Sequence, residues 1–336
     1  MGQVDLSSLT DLCTPWCVHV VATLRIADHV ANGTTRIDDL AVAASADRDS
    51  LHRVLRHLVD KGVFEELSPG SFALNEPARA LLDSPARWLD LDGFGGRMAH
   101  AWSSLLSAVR SGAPAYHEVF GRPFWEDLQA HPEIAASFDD LMGPGHGTPD
   151  PEVLVTGGWG SVRTIVDVGG GTGSLLAEIL RARPSVRGKL VDLPPTVARS
   201  GGIFQAAGVA DRVTVVGQSF FDPLPEGADL YMLKSVLSDW PDQEATAILK
   251  RCADAARPAG RVVVLSGVSP ESGDGPSPAL LMMVLVGGRE RSLTEFRALA
   301  RPAGLEVQAA ERQASGRFVV ECRPISWRSN ASNPGA

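Results

Sequence analysis

The chain has 336 residues, of which 44% are hydrophobic and 21% charged, which is enough apolar sequence for two packed domains. Its formal net charge of -9 disfavours nonspecific nucleic-acid binding over the whole surface. No N-terminal basic region leads into an apolar run and no stretch is apolar enough to cross a bilayer, so we expect a cytoplasmic protein with no membrane partner.

Residues 1–95 are predicted to form a winged-helix-like dimerisation domain. Apolar residues recur at helical spacing from about Ser7 to Val30, with Gly33 as a plausible stop. Residues 37–82 then read as helix, turn, helix and two short strands joined at Pro69 and Gly70. Several apolar residues of the first segment cannot all be buried in so small a unit, which predicts a homodimer: Leu12, Trp16, Val20, Val21 and Leu24.

A winged helix also suggests DNA binding, because its second helix carries four basic residues, Arg48, Arg53, Arg56 and Lys61. The same segment carries three acids, Asp47, Asp49 and Asp60. Mixed charge is more typical of a solvated or dimer-facing helix. We therefore expect no nucleic-acid partner and keep a DNA-binding regulator as the less favoured alternative.

The four cysteines, Cys13, Cys17, Cys252 and Cys322, are scattered without metal-ligand spacing. Cys13 and Cys17 are four residues apart on a predicted helix, where buried thiols are a better interpretation than a zinc site. No metal is expected.

Residues 96–150 are predicted to be a helical bridge and linker that contributes to a substrate pocket. The segment from Trp88 to Met142 has a helical pattern, and the Gly/Pro-rich residues 143–151 follow it. Its large apolar side chains are core residues or cover a ligand, and Trp102, Phe138 and Met142 are candidate substrate contacts.

Residues 151–323 alternate strands and helices, which predicts a Rossmann-like, doubly wound, mostly parallel sheet. Ligands of such sheets bind at the carboxyl ends of the strands. Five strands are predicted, in the segments "TIVDVGG", "RGKLVDLP", "RVTVVGQSF", "ADLYMLKSVL" and "GRVVVLSGV". Residues 324–336 are expected to be a disordered tail.

The first of these strands runs into a glycine-rich turn after Asp167, with Gly169, Gly171 and Gly173 at alternate positions. A dinucleotide fingerprint needs a further glycine where the chain has Ser174, so that interpretation is weakened. The spacing resembles the first motif of S-adenosylmethionine (SAM) methyltransferases, where glycine lets the backbone approach the cofactor. A purely structural turn remains the alternative.

Polar and aromatic residues follow the next strands. Asp192 ends the second strand, where an acid can accept both hydroxyls of a ribose. Ser219 and Phe220 follow the third, where an adenine would lie. Lys234, Asp239 and Trp240 follow the fourth.

The order of "VDVGGGTGSLL", "LVDLP", "GQSFFDPLP", "LKSVLSDWPDQEATAILKRC" and "LVGGRERSLTEFRALARPAGL" behind a winged helix resembles the small-molecule O-methyltransferases. Among these, the naphthoate O-methyltransferases of antibiotic pathways look most similar. The resemblance implies SAM as cofactor, with S-adenosyl-L-homocysteine as product, and an aromatic secondary-metabolite hydroxyl as acceptor. It assigns the methionine part of SAM to the three glycines, the ribose to Asp192, the adenine to Ser219, Phe220 and Trp240, and the outer side of the cofactor to Lys234. Leu193, next to Asp192, is also expected to bind the cofactor.

The resemblance also implies an acceptor pocket lined by the stretch "LLMMVLVGGRERS". Met282 and Leu285 should touch the substrate, and Glu290 occupies the family's carboxylate position. Arg97, Arg289 and Arg291 are each either a surface residue or a partner for a substrate carboxylate, and Arg289 is the candidate we retain.

The chain departs from the family pattern where the catalytic base should be. Ser238 stands in place of the usual histidine, and Ser266 replaces an expected second acid. Using the ionised form of a phenol at pH 7 costs roughly 4 kcal/mol, whereas good positioning contributes roughly 7 to 11 kcal/mol. We therefore predict methyl transfer driven mainly by proximity, with Ser238, Asp239 and Glu290 as candidate catalytic residues. The alternative is an atypical SAM-binding tailoring enzyme, such as a hydroxylase or decarboxylase.

Overall fold

A computed structural model describes residues 6–82, 88–142, 151–270 and 278–325. Contacts within the chain divide it into two compact units. The first comprises Met1–His100 and Pro132–Leu141, and the second comprises Ala101–His131 and Met142–Ala336. The segment predicted as a bridge is thus divided between the two units.

The first unit contains a winged helix preceded by short helices. Its elements in chain order are α1 (Leu6–Leu9), α2 (Cys13–Thr23), α3 (Ile26–Ala31), α4 (Ile37–Ala43), α5 (Arg48–Asp60), β1 (Glu65–Ser68), β2 (Ser71–Ala73), α6 (Glu76–Arg79) and α7 (Phe94–Ala101), with α11 (Pro132–Met142) joining it from further along the chain. The strands β1 and β2 pair antiparallel. Asp47 caps α5 by accepting a hydrogen bond from the backbone of Ser50 at 2.9 Å, as expected at a helix start. The predicted helix, turn, helix and wing are present.

The long helical segment expected from Ser7 to Val30 is interrupted. The break between α2 and α3 is at Arg25, which has a φ of 53° in the left-handed region. The guanidinium of Arg25 pairs with Asp28 at 3.0 Å. The apolar spacing continues across this break, so the pattern alone did not reveal it.

The four basic residues that suggested DNA binding all have acidic partners. Arg48 pairs with Asp38 at 2.8 Å, Arg53 with Asp49 at 2.6 Å, Arg56 with Glu66 at 3.3 Å and Lys61 with Asp11 at 3.0 Å. These acids reduce the positive charge that α5 can offer to a phosphate backbone.

The second unit is built on a seven-stranded sheet. Its elements are α8 (Leu105–Ser111), α9 (Tyr116–Phe120), α10 (Phe124–Ala130), β3 (Thr164–Val168), α12 (Ser174–Ala182), β4 (Arg187–Asp192), α13 (Pro194–Val197), α14 (Gly201–Ala206), β5 (Val213–Gly217), β6 (Leu230–Lys234), α15 (Asp242–Ala255), β7 (Arg261–Leu265), β8 (Val268–Ser269), α16 (Pro278–Leu285), β9 (Arg291–Ser292), α17 (Leu293–Ala300), β10 (Leu305–Arg312) and β11 (Phe318–Pro324). Among the described residues, no helix has the length and apolar character that crossing a bilayer requires.

The strand order is β10-β11-β7-β6-β3-β4-β5. Five strands are parallel, and β10 and β11 extend the sheet antiparallel at one edge. The chain runs outward from β3 through β4 to β5 and then returns to β6 on the other side of β3. The reversal creates a crevice at the carboxyl ends of β3 and β6, where ligands of such sheets bind. The predicted Rossmann-like sheet is confirmed, and the antiparallel pair adds to it.

Candidate functional site

The glycine turn after β3 brings backbone close to its neighbours. Gly169, Gly171 and Gly173 all have positive φ, at 67°, 60° and 87°. A Cβ on Gly169 would lie 2.8 Å from Val236 Cγ2, and one on Gly173 would overlap the ring of Phe204. A Cβ on Gly171 would meet nothing within 4 Å. Of these three glycines, Gly171 is therefore the one where the described residues leave space for a ligand to approach the backbone.

Asp192 connects the end of β4 to this turn. Its Oδ2 accepts a hydrogen bond from the backbone N–H of Gly171 at 2.8 Å, and its Oδ1 accepts one from Leu193 at 2.7 Å. Burial raises the pKa of Asp192, and the two backbone hydrogen bonds oppose that rise. Each carboxylate oxygen retains a further acceptor site, so the group can still receive two ligand hydroxyls.

Asp167 lies under the turn with 1% of its surface exposed. In the described part of the chain, neither of its carboxylate oxygens has a hydrogen-bond partner. Burial raises its pKa to about 7, while Lys234 at the end of β6 opposes the rise. Ionising a buried carboxyl group that has no hydrogen-bond partner is costly, and this cost is the cause of the raised pKa.

Aromatic rings surround the ends of β5 and β6. Phe220 and Phe221 both pack edge-on against Trp240, with ring centroids 5.8 and 5.0 Å from it. Trp125 of α10 stacks on Trp240 at 6.1 Å with an angle of 17° between the rings. The Ser219 hydroxyl accepts a hydrogen bond from the Phe221 backbone at 3.2 Å. The sequence had placed Trp125 only among large apolar side chains that are core or cover a ligand, and it had not singled out Phe221, although the second phenylalanine of "SFF" was a visible signal.

Ser238 and Asp239 occupy a short 3-10 turn, Leu237–Asp239, after β6. The Ser238 hydroxyl donates to Asp239 Oδ1 at a long 3.5 Å. Burial raises the pKa of Asp239 to about 7. Its carboxyl group therefore changes charge near neutral pH, which is the range that a general base needs.

The backbone fixes Ser238 from two sides. A Cβ on Gly288 would overlap the carbonyl oxygen of Ser238, and one on Gly267 would lie 3.1 Å from the Ser238 Cβ. Gly267 has a φ of 80°, so a side chain there would also strain the backbone.

Arg291 is a residue whose role sequence reasoning missed. Its side chain is 1% exposed. It donates to the carbonyl oxygens of Leu237 and Trp240 at 2.7 Å each and to Asp242 Oδ1 at 2.9 Å. The sequence had suggested that Arg291 lies on the surface, and this prediction is wrong because its guanidinium is buried. The three acceptors satisfy the buried charge. Arg291 thus holds the loop that carries Ser238, Asp239 and Trp240.

The other candidate substrate residues differ in environment. Arg289 donates to Glu295 at 2.6 Å and to Asp242 at 3.0 Å, which occupies its guanidinium and argues against a substrate carboxylate partner. Glu290 is exposed and Leu285 is buried, whereas Met282 is partly buried.

The remaining three candidates lie on the helical segment. Trp102 and Met142 are 38% and 42% exposed. Phe138 belongs to the first unit, where its ring packs edge-on against Phe94 at 4.9 Å. Their contacts with substrate stay predictions.

Two domain families match the chain. The O-methyltransferase domain matches residues 102–306, and the O-methyltransferase dimerisation domain matches residues 7–84. The chain belongs to the O-methyltransferase family. The predicted enzyme class is therefore confirmed.

Similar proteins come from antibiotic pathways. A 2,7-dihydroxy-5-methyl-1-naphthoate 7-O-methyltransferase of Streptomyces carzinostaticus is 42% identical over 92% of this chain and 94% of its own. The aclacinomycin 10-hydroxylase RdmB of Streptomyces purpurascens is 39% identical over 92% of this chain and 86% of its own. A crystal structure of the O-methyltransferase NcsB1 from neocarzinostatin biosynthesis, in complex with SAM and 2-hydroxy-5-methyl naphthoic acid, superposes with a TM-score of 0.89 at 40% identity, covering 97% of this chain and all of that one.

The residues of the site fit SAM. The space beside Gly171 suits a compact amino-acid group, the free acceptor sites of Asp192 suit a ribose, and the rings around Trp240 suit an adenine. SAM as cofactor agrees with these donors, acceptors and apolar walls, and with the SAM complex of the similar structure.

Proposed function

We propose that this protein transfers a methyl group from SAM to a hydroxyl of an aromatic acid of the hydroxynaphthoate type. The observation that carries the proposal is the hydrogen bond that joins the glycine turn to Asp192 at the crevice of the sheet. The same turn packs against Val236, which immediately precedes the Leu237–Asp239 turn. The substrate class rests on the similarity to naphthoate-acting enzymes.

SAM, when bound, supplies a methyl group on a sulfonium; the acceptor oxygen forms the new C–O bond while the C–S electron pair returns to sulfur. The glycines, Asp192 and the aromatic rings around Trp240 hold the cofactor. Arg291 holds the loop that faces the acceptor. The main contribution of the protein is then alignment, which is worth roughly 7 to 11 kcal/mol in well-oriented reactions.

Asp239 is the candidate acceptor for the proton of the substrate hydroxyl. Its pKa of about 7 leaves a large share ionised at neutral pH, so it can take a proton that Ser238 cannot hold. Ser238 contributes a hydroxyl within reach of Asp239 and no basic group of its own. Glu290 is exposed and remains a second candidate for the same proton.

A second candidate function is hydroxylation, because one similar protein is a hydroxylase and the histidine position holds Ser238. In that case SAM would bind without transferring its methyl group, and the substrate would gain one oxygen atom from dioxygen, while an added two-electron reductant such as a thiol would carry the other oxygen atom to water. The two functions differ in the mass and composition of the product.

The test is incubation of the chain with SAM and a panel of hydroxylated naphthoic and related aromatic acids, followed by mass spectrometry. Isotopically labelled methyl from SAM should appear in the product. Asp192→Ala should abolish SAM binding in calorimetry, whereas the exposed Asp211→Asn should retain it. Binding of SAM without any labelled product over the panel would contradict the proposed acceptor class, and an oxygenated product would favour the hydroxylase.

We also propose a homodimer formed through the N-terminal domain. The support is the dimerisation-domain match and four exposed apolar side chains near the start of the chain, Leu6, Leu9, Leu12 and Trp16. Of the residues predicted to remain uncovered, Val21 is fully buried within its own unit and so does not contribute.

A further inference from the structure

A cluster of two thiols and an imidazole lies in the first unit, in the winged-helix part of the chain. Cys13 is the first residue of α2, Cys17 lies one turn further, and His57 lies on α5. The two sulfurs are 3.8 Å apart, and they and a ring nitrogen of His57 all lie within 4.8 Å of one another. The spacing of the two cysteines alone had favoured buried thiols over a metal site. His57, which is distant in sequence, adds a third possible metal ligand to the pair.

The separation of the sulfurs matches that of ligands on one metal ion. Zinc binds thiolate sulfur at roughly 2.3 Å and imidazole nitrogen at roughly 2.0 to 2.1 Å in tetrahedral geometry. Two sulfurs on such an ion lie about 3.8 Å apart, and a sulfur and a nitrogen about 3.5 Å apart. The thiols already stand at that distance, and a ring nitrogen of His57 lies within 4.8 Å of both sulfurs.

A chain of hydrogen bonds orients the imidazole. The Thr14 hydroxyl donates to Asp11 Oδ2 at 2.6 Å and therefore accepts from His57 Nε2, which lies 2.8 Å away. A neutral ring so arranged keeps its lone pair on Nδ1. Lys61 fixes Asp11 with a contact of 3.0 Å. Outer partners of this kind orient the histidine ligands of metal sites and tune their basicity.

We propose that Cys13, Cys17 and His57 bind one zinc ion or a similar thiophilic divalent metal. The three ligands leave a fourth position for water, on the side where Cys13 is exposed. The ion would bridge α2 to α5 and so fix the start of the chain against the winged helix. The thiols release their protons on binding, so the site strengthens as pH rises.

Cobalt(II) is the probe, because its spectrum reports both tetrahedral geometry and thiolate ligation. The full-length chain, stripped with chelator and kept reduced, should bind one Co2+ with thiolate charge-transfer and intense visible bands that Zn2+ abolishes. Cys13→Ser and His57→Gln should each weaken binding at least tenfold. His29→Gln, on α3 of the same unit, should leave it unchanged.

Zinc should also raise the unfolding temperature of the unaltered chain and of His29→Gln, but not of Cys13→Ser. Cobalt spectra without thiolate bands, or equal binding by Cys13→Ser, would overturn the proposal. Because these readouts do not involve methyl transfer, they are independent of the proposed function.

Discussion

At the scale of single residues, the proposed proton transfer concerns two neighbours, Ser238 and Asp239. Burial raises the pKa of Asp239 to about 7, and the Ser238 hydroxyl is only weakly bonded to it. We expect Ser238→Ala to change turnover less than tenfold, which is less than about 1.4 kcal/mol. A loss of several hundredfold with unchanged SAM affinity would show instead that the serine belongs to a proton relay.

The pH profile separates Asp239 from simple positioning. A carboxyl group with a raised pKa is protonated below about pH 7, so as a base it should make turnover rise with pH through that value. Asp239→Asn should remove this rise and leave a profile that follows the ionisation of the substrate. Asp211→Asn provides the control. An unchanged profile in Asp239→Asn would exclude Asp239 as the base.

Asp167 should make the stability of the chain depend on pH. Its folded pKa of about 7 lies above the unfolded value of about 3.9, so the folded chain keeps a proton that the unfolded chain loses. Stability should therefore fall as pH rises from about 4 to 7, by at most about 4 kcal/mol from this residue. Urea unfolding without cofactor should show a flatter pH dependence in Asp167→Asn.

Asp229 is a matched control of opposite sign. Burial raises its pKa, but hydrogen bonds from the backbone of Arg163 and Thr164 outweigh that effect and leave the pKa lowered. Asp229→Asn should therefore lose stability that is present above pH 4. If both variants shifted stability equally at every pH, burial of Asp167 would not be the cause.

At the scale of elements, a prediction concerns the contact between Arg291 and the loop after β6. Arg291→Lys keeps the charge but cannot reach Leu237, Trp240 and Asp242 together. We expect kcat to fall at least tenfold and the KM for the acceptor to rise, because the loop loses its position. Arg301→Lys, on an exposed site after α17, is the control. An Arg291→Lys enzyme with native kinetics would show that the loop is held by other contacts.

The same scale shows what the sequence could and could not predict. The five parallel strands and Asp192 were predictable, because apolar runs ending in glycine or acid mark the strand ends. Arg291 was not, since a basic residue in "GGRERS" gives no local sign that acceptors from a distant loop surround it. The stacking of Trp125 on Trp240 likewise depends on tertiary packing. The break at Arg25 left the apolar spacing intact and was invisible for that reason.

At the scale of the whole molecule, the proposed dimer predicts a doubled mass. Light scattering at micromolar concentration should give the mass of two chains, and Leu9→Asp with Leu12→Asp should shift it toward one. Leu67→Asp, on a similarly exposed apolar residue of β1, should not. A monomer mass for the unaltered chain would refute the dimer.

The close backbone contacts around Ser238 bear on how such enzymes diversify. Gly288 and Gly267 position this residue through main-chain atoms and a Cβ, and every amino acid except glycine has those same atoms. A different side chain at position 238 would therefore leave these main-chain contacts, and the path of the loop, unchanged. Ser238→His, which would place a base at this position, therefore requires no change in the main-chain contacts that hold the loop. Two glycines thus fix the main-chain path at position 238 through atoms that do not depend on which side chain stands there.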